Sequence, residues 1–342
     1  MSNWPKLNKG KNALPSSANS WENYFVVTTP SPWSLANSTL MNAKEIIFVH
    51  DLDKANLDRL GREFNAAPMI IGIGSGTAMD AAKFLAKYTD AELVQVPTTS
   101  SNNACFTRTA WTFEGKKRVA ERNTPIPKEI VIDYNLFEKA PIRMNRAGAA
   151  EILCSHTALF DWKLAHDAGV DVEWDEDLES ETRSELQRLV GYASEIGAAK
   201  VEAFAEIMEV GRKFALGFTS HPKARFNAGS EHIVAWAIEQ TADKRIIHGE
   251  AVSLATLLMA HIQQNKPDFA LDIILSSKIL YHPEDIGTSW SRIENIFTYL
   301  FDFAEGIPWH TIITEYSQKG ESGRRELISR FKEARKFIED VR

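Results

Sequence analysis

The sequence predicts an α/β fold class: a doubly wound, mainly parallel sheet domain over 1–145, followed by an all-α domain over 146–342. Three observations carry this. The first part alternates short β-branched runs with helical segments, as strand–helix–strand units do. The runs are hydrophobic almost throughout, as parallel strands covered on both faces are. From about residue 146 the strand pattern stops, and 342 residues suffice for about two domains of about 150 residues each.

The elements follow in order. Residues 1–22 are polar and rich in Ser, Asn and Lys, so they read as a poorly structured tail without the apolar centre of a secretory signal. Strands are expected at Tyr24–Thr28, Glu45–His50, Pro68–Ile73, Glu92–Val96 and Glu129–Asp133. Between them Lys54–Phe64 places Leu57, Leu60 and Phe64 at helical spacing, and Thr77–Tyr88 does the same with alanines and Leu85. After the boundary near Pro141–Ala147, helices are expected over Gly148–Asp167, Ser180–Gly197, Lys200–Thr219, Ser230–Thr241, His248–Gln264, Asp268–Leu280, Ser291–Ala304 and Gly323–Val341.

The net charge of −7 has one local source. Seven acids and no base lie between Asp171 and Glu181, and the other 39 acids meet 39 bases. That run reads as a solvated loop and a helix N-terminus, where acids are favourable. The balance argues against a nucleic-acid backbone as partner, which rewards clustered Lys and Arg. No apolar run reaches the ~18–20 residues of a membrane span. Cys105 and Cys154 make no disulfide framework. A soluble, cytoplasmic protein is the expectation.

The segment around Gly74, Ser75, Gly76 and Thr77 follows a strand and opens an alanine-rich helix. Glycines there admit a phosphate close to the backbone, and the helix N-terminus offers N–H groups to a pyrophosphate. A tight strand–helix turn needing glycine for its own sake is the other reading. Lys83 lies too far into the helix for a Walker loop. At the end of the next strand, Thr98, Thr99, Ser100, Ser101, Asn102 and Asn103 could reach a ribose or diphosphate, or could form a capping cluster.

In the helical half, His232 and His248 flank a polar break between two helices, and Glu151 interrupts an apolar helix start. A buried carboxylate without a partner is costly. Two imidazoles, one carboxylate and an open position make a catalytic divalent-metal set. Histidines satisfied within a core are the plainer alternative.

Together these segments resemble the iron-containing alcohol dehydrogenase superfamily, which also holds glycerol dehydrogenases, glycerol-1-phosphate dehydrogenases and dehydroquinate synthases. Its Gly-Gly-Gly-Ser-x-x-Asp-x-Ala-Lys loop maps onto Gly74–Thr77, Asp80 and Lys83, and its Pro-Thr-Thr stretch onto Pro97, Thr98 and Thr99. The resemblance implies a dehydroquinate synthase-like fold with NAD or NADP between the domains. Gly74, Ser75, Gly76, Thr77, Asp80, Lys83, Thr98, Thr99 and Ser101 would contact that cofactor. Glu151, His232 and His248 would bind a divalent metal, zinc first, with iron and nickel also accommodated. Asp80 and Asn103 would lie near the nicotinamide or substrate. His156 is the candidate for proton transfer, with a core role as its alternative. Arg225, with Arg108 and Lys116 as weaker partners, could bind a substrate phosphate; ordinary surface charge is the alternative, and the favoured one for Arg108 and Lys116.

Gly229–His232 and Thr157–Ala165 look like the glycerol-1-phosphate dehydrogenases, whereas the glutamate ligand looks like the synthases. Cys154 stands where the synthases carry a substrate lysine, Trp236 where they carry a second histidine, and Asn103 where polyol dehydrogenases have a carboxylate. The implied activity is a metal-dependent, NAD(P)-linked oxidoreductase of a small polyol, its phosphate or the matching carbonyl compound. A dehydroquinate synthase-like lyase is the alternative. Family members are usually oligomeric.

Overall fold

The computed structural model describes residues 4–115, 117–170 and 173–341. It divides into two compact units: residues 1–145 with 204–208, and residues 146–203 with 209–342.

The first unit is built on eight strands: β1 (Lys6–Gly10), β2 (Tyr24–Thr28), β3 (Glu45–Phe48), β4 (Met69–Gly74), β5 (Glu92–Pro97), β6 (Ala110–Glu114), β7 (Lys117–Glu121) and β8 (Glu129–Asp133). Six form one parallel sheet in the order β1-β8-β5-β4-β2-β3. Alternation along the strands feeds two cores. Val26, Met69, Ile71, Ile73, Val94 and Val96 face one, against the helices Ala13–Ala18 and Pro30–Ala36. Val27, Ile70 and Leu93 face the other, against Lys54–Glu63 and Gly76–Thr89. Both faces are covered, which is why the runs read as continuously apolar.

From β2 the chain runs outward to β3 and then returns to β4 on the other side. The order therefore reverses at β2 and β4, and their carboxyl ends form the crevice where open α/β sheets take ligands.

The amino-terminal segment departs from expectation. It is not a loose tail: β1 pairs with β8, and Ala13–Ala18 packs beneath it. Ser17 Oγ and Trp21 Nε1 donate to the buried carboxylate of Glu129, and Leu14 N donates to Asp133. An edge strand held by backbone pairing and polar contacts has no apolar alternation to read. The β6–β7 hairpin also escaped the sequence reading, and Gly115, at φ +63°, makes its turn.

Among its described residues, the regular elements of the second unit are all helices. Its helices include Glu176–Gly197, Val201–Ser220, Ser230–Thr241, His248–Ile262, Pro267–Ser277, Trp290–Glu305 and Gly320–Glu339. The single helix expected over 148–167 is two, Ala150–Leu153 and Ser155–Asp167. At the junction Cys154 O accepts Thr157 N, Ala158 N and Thr157 Oγ1. Short helices at Pro283–Ile286 and Ile312–Gln318 belong to this unit, and the helix Ile142–Ala147 spans the boundary at residue 145. Within the acidic run, Asp175 caps Glu176–Gly197 through Leu178 N, which puts most of the remaining acids on that helix; Asp171 and Lys116 lie outside the described residues.

Candidate active site

In the first unit, Gly74 ends β4 at φ +147°, a conformation that strains any side chain, and a Cβ there would lie 2.8 Å from Ala78 Cβ. Its carbonyl accepts Thr98 N at 2.8 Å, which docks the hydroxyl-rich loop on the glycine loop. Ser75 precedes Gly76–Thr89 with extended backbone, and its side chain does not cap the helix. Thr77 is buried one residue further on.

The loop after β5 is pinned from within. Ser100 N and Oγ bind Asn145, and Thr99 Oγ1 and Ser101 Oγ pair at 2.8 Å. Thr98, Thr99 and Ser101 thus gather beside the glycine loop. Asn103 caps a 3-10 turn and its carbonyl accepts Phe106 N. Sequence reasoning picked Asn103, but Asn102 is the amide over the glycines: its Nδ2 lies 3.2 Å from where a Cβ on Gly76 would stand.

Lys83 takes a different role from the one the motif implied. Its side chain is 0% exposed, ion-paired with Asp80 at 2.7 Å and donating to Ala104 O, Thr107 Oγ1 and Thr109 O. It braces the loop after β5 and has no donor left for a phosphate. Asp80 is its counter-charge, which accounts for the pair's spacing in the motif.

The second unit brings Glu151, His232 and His248 together, with donor atoms all within 4.8 Å of one another. Gly249 allows this. A Cβ there would stand 2.1 Å from Ala147 O, so only glycine lets the helix His248–Ile262 begin so near the Glu151 turn. The imidazoles of His232 and His248 are each backed by a carboxylate: His232 Nδ1 donates to Glu231 Oε1 and His248 Nδ1 to Glu239 Oε1, both at 2.8 Å. A carboxylate only accepts, so each Nδ1 carries the proton and each Nε2 presents a lone pair.

Glu151 Oε1 is buried without a hydrogen bond and lies 3.4 Å from His248 Nε2. Two ligands about 2.0–2.1 Å from a tetrahedral ion stand about 3.3 Å apart. The orphaned oxygen and the two oriented imidazoles therefore fit a divalent metal.

A second donor set shares His232 with Cys154 and Glu231. It fits less well. The Cys154 thiol faces Glu151 O and Asn227 O, and burial pushes its pKa well up. Glu231 already accepts Gly229 N, His232 Nδ1 and Thr157 Oγ1. Beneath it lies Asp161, fully buried, accepting Ser230 N at 2.7 Å and Ile312 N at 2.8 Å. Burial, with Glu231 nearby, raises its pKa to about 6.

His156 lies away from this chemistry. Its Nε2 donates to Asn265 O at 2.6 Å, its ring lies against Phe269, and burial lowers its pKa. A ring nitrogen committed to a backbone carbonyl is a packing device, so the proton-transfer role gives way to the core role. Arg225 is buried, with Nη2 on His310 O at 2.9 Å and Nη1 without a hydrogen bond. Burial lowers its pKa, and Asp161 and Glu231 oppose that shift. Arg108 is exposed, and its Nε donates to Thr124 O at 3.3 Å.

Residues 39–141 match the family described as iron-containing alcohol dehydrogenase. Over 194 residues the chain is 28% identical to the glycerol-1-phosphate dehydrogenase [NAD(P)+] of Aeropyrum pernix, a match that takes in 57% of this chain and about half, 54%, of that protein. Over 262 residues it is 24% identical to the enzyme of the same name from Methanothermobacter thermautotrophicus, covering 73% of this chain and 74% of that one. Among solved structures, the glycerol dehydrogenase of Schizosaccharomyces pombe superposes with a TM-score of 0.76 at 18% identity, over 99% of this chain and 91% of that one. The chain is thus similar to the iron-containing alcohol dehydrogenases over residues 39–141 and in sequence to the glycerol-1-phosphate dehydrogenases, and it shares the fold of the glycerol dehydrogenase structure.

Proposed function

We propose that the protein is a metal-dependent, NAD(P)-linked oxidoreductase of a small polyol, a polyol phosphate or the matching carbonyl compound. The observation that carries this is Glu151 Oε1, buried without a hydrogen bond 3.4 Å from His248 Nε2, with the Nδ1 of His232 and of His248 each bound to a carboxylate. The relatives' names, glycerol-1-phosphate dehydrogenase and glycerol dehydrogenase, support the substrate class.

Glu151, His232 and His248 would hold the ion, zinc first, with iron and nickel also suited to two imidazoles and a carboxylate. When bound, such an ion supplies Lewis-acid polarisation of a substrate oxygen. Glu231 and Glu239 keep the protons on Nδ1. On the first unit, Gly74, Ser75, Gly76 and Thr77 would receive the cofactor pyrophosphate, with Thr98, Thr99, Ser101 and Asn102 beside it. Arg225 would take a substrate anion. Asp80 is committed to Lys83, while Asn103, whose side chain makes no cap, would lie near the nicotinamide or substrate. No described helix is long and apolar enough to cross a membrane. Two buried free cysteines support a reducing, cytoplasmic setting.

The lyase alternative gains no observation. Cys154 offers no charge where a substrate lysine would stand, and Trp236 replaces the second histidine. The test is a screen of both cofactors against polyols, their phosphates and the matching carbonyl compounds, with metal content measured. Sustained NAD(P)H absorbance change and about one metal per chain are expected. A protein without stoichiometric metal, indifferent to Glu151→Ala, would refute the reading.

A further inference from the structure

Trp236 follows His232 by one turn of the same helix, so both side chains share a face. Their rings meet edge-on, with centroids 5.8 Å apart at 65°. Trp309, in the turn before the helix Ile312–Gln318, lies against Trp236 at 5.3 Å and 46°. The Arg225 guanidinium carbon is 6.0 Å from the Trp309 centroid. An aromatic wall thus runs from a metal donor to a guanidinium that is 7% exposed and has one buried N–H group unused. Both tryptophans are half-buried, and all four residues belong to the helical unit.

We infer that the Trp236–Trp309 wall and Arg225 form a substrate subsite beside the metal donors, for a short hydroxy or oxo compound with an apolar or planar body and one terminal anionic group. Indole faces strip water from whatever lies on them and return no acceptor. A hydroxyl placed there loses its hydrogen bonds, whereas a methylene or a ring loses nothing. A guanidinium with a spare N–H pairs with an oxyanion at the far end. Burial lowers the Arg225 pKa, and the charges of Asp161 and Glu231 oppose that shift. The polyhydroxylated body of a sugar phosphate is disfavoured at this wall. The inference rests on the oxidoreductase reading for the reacting group alone.

Titration calorimetry on the purified protein with the metal it carries tests this, using three phosphate monoesters of equal charge: propyl phosphate, phenyl phosphate and glycerol 1-phosphate. Propyl and phenyl phosphate are expected to bind about ten-fold tighter than glycerol 1-phosphate. Trp236→His should abolish that preference, and Arg225→Lys should weaken all three about ten-fold with circular dichroism unchanged. Equal or tighter binding of glycerol 1-phosphate to the unsubstituted protein, or no binding of any ester, overturns the inference whatever the variants do. Undiminished binding by folded Arg225→Lys overturns the anion role. NAD(P)H absorbance is read separately. The expected ligand order without any turnover removes the oxidoreductase reading and leaves the subsite standing; polyol turnover with the reverse order does the opposite.

Discussion

At Glu151 the chain keeps a carboxylate oxygen from water and gives it no donor. Such a group costs about 1–3 kcal/mol unless something else pairs with it. Glu151→Gln should therefore remove stoichiometric metal while leaving the metal-free protein as stable or more so, by up to about 1–3 kcal/mol in denaturant melts. A fall in metal-free stability would mean that the carboxylate serves the fold instead. The carboxylates behind the imidazoles have a graded effect. Glu231→Gln or Glu239→Gln should weaken metal binding about 10–100-fold in a chelator competition. Glu151, His232 and His248, put forward on a carboxylate in an apolar helix start, two histidines about a polar break and the family resemblance, do come together. Glu231 and Glu239 were visible only as letters near a histidine, because their role depends on which ring nitrogen they face. His156 and Lys83 misled for the same reason: the residue type suits catalysis or phosphate binding, but its polar atoms are consumed by backbone carbonyls.

At the scale of elements, what read clearly was burial. The strands β2, β4, β5 and β8 and the long helices announce themselves by apolar continuity or period. What did not read was pairing without burial, as in β1, and a turn inside a helical run, as at Cys154. Glycines mark where two elements touch. Gly249→Ala would drive a methyl into Ala147 O, so the helix His248–Ile262 must retreat. The expected result is a loss of about 1–3 kcal/mol in stability and of metal together, measured by melting and metal analysis. Gly74→Ala makes the complementary prediction for the first unit: at φ +147° and 2.8 Å from Ala78 Cβ, it should weaken dinucleotide binding while metal content stays whole.

Across the whole molecule, the acidity that first characterised the sequence resolves into one helix start, capped by Asp175, and leaves the charge of a ligand to be set locally. Stability against pH has an identifiable contributor. Burial holds His156 below its ordinary value of 6.5, so the unfolded chain takes up the proton first. Its contribution is complete above about pH 6.5 and is lost as pH falls through the lowered folded value. Urea melts of His156→Gln should accordingly show a flatter dependence between about pH 7 and 5 than the unsubstituted protein; an unchanged slope would assign the dependence elsewhere. Asp161 has a kinetic consequence of its own. One carboxylate seals the first amides of two helices, Ser230 and Ile312, which lie far apart in the chain. Solvent deuterium should reach those two amides in a single opening event, and an amide side chain in place of Asp161, with one oxygen to share, should let them exchange at separate rates.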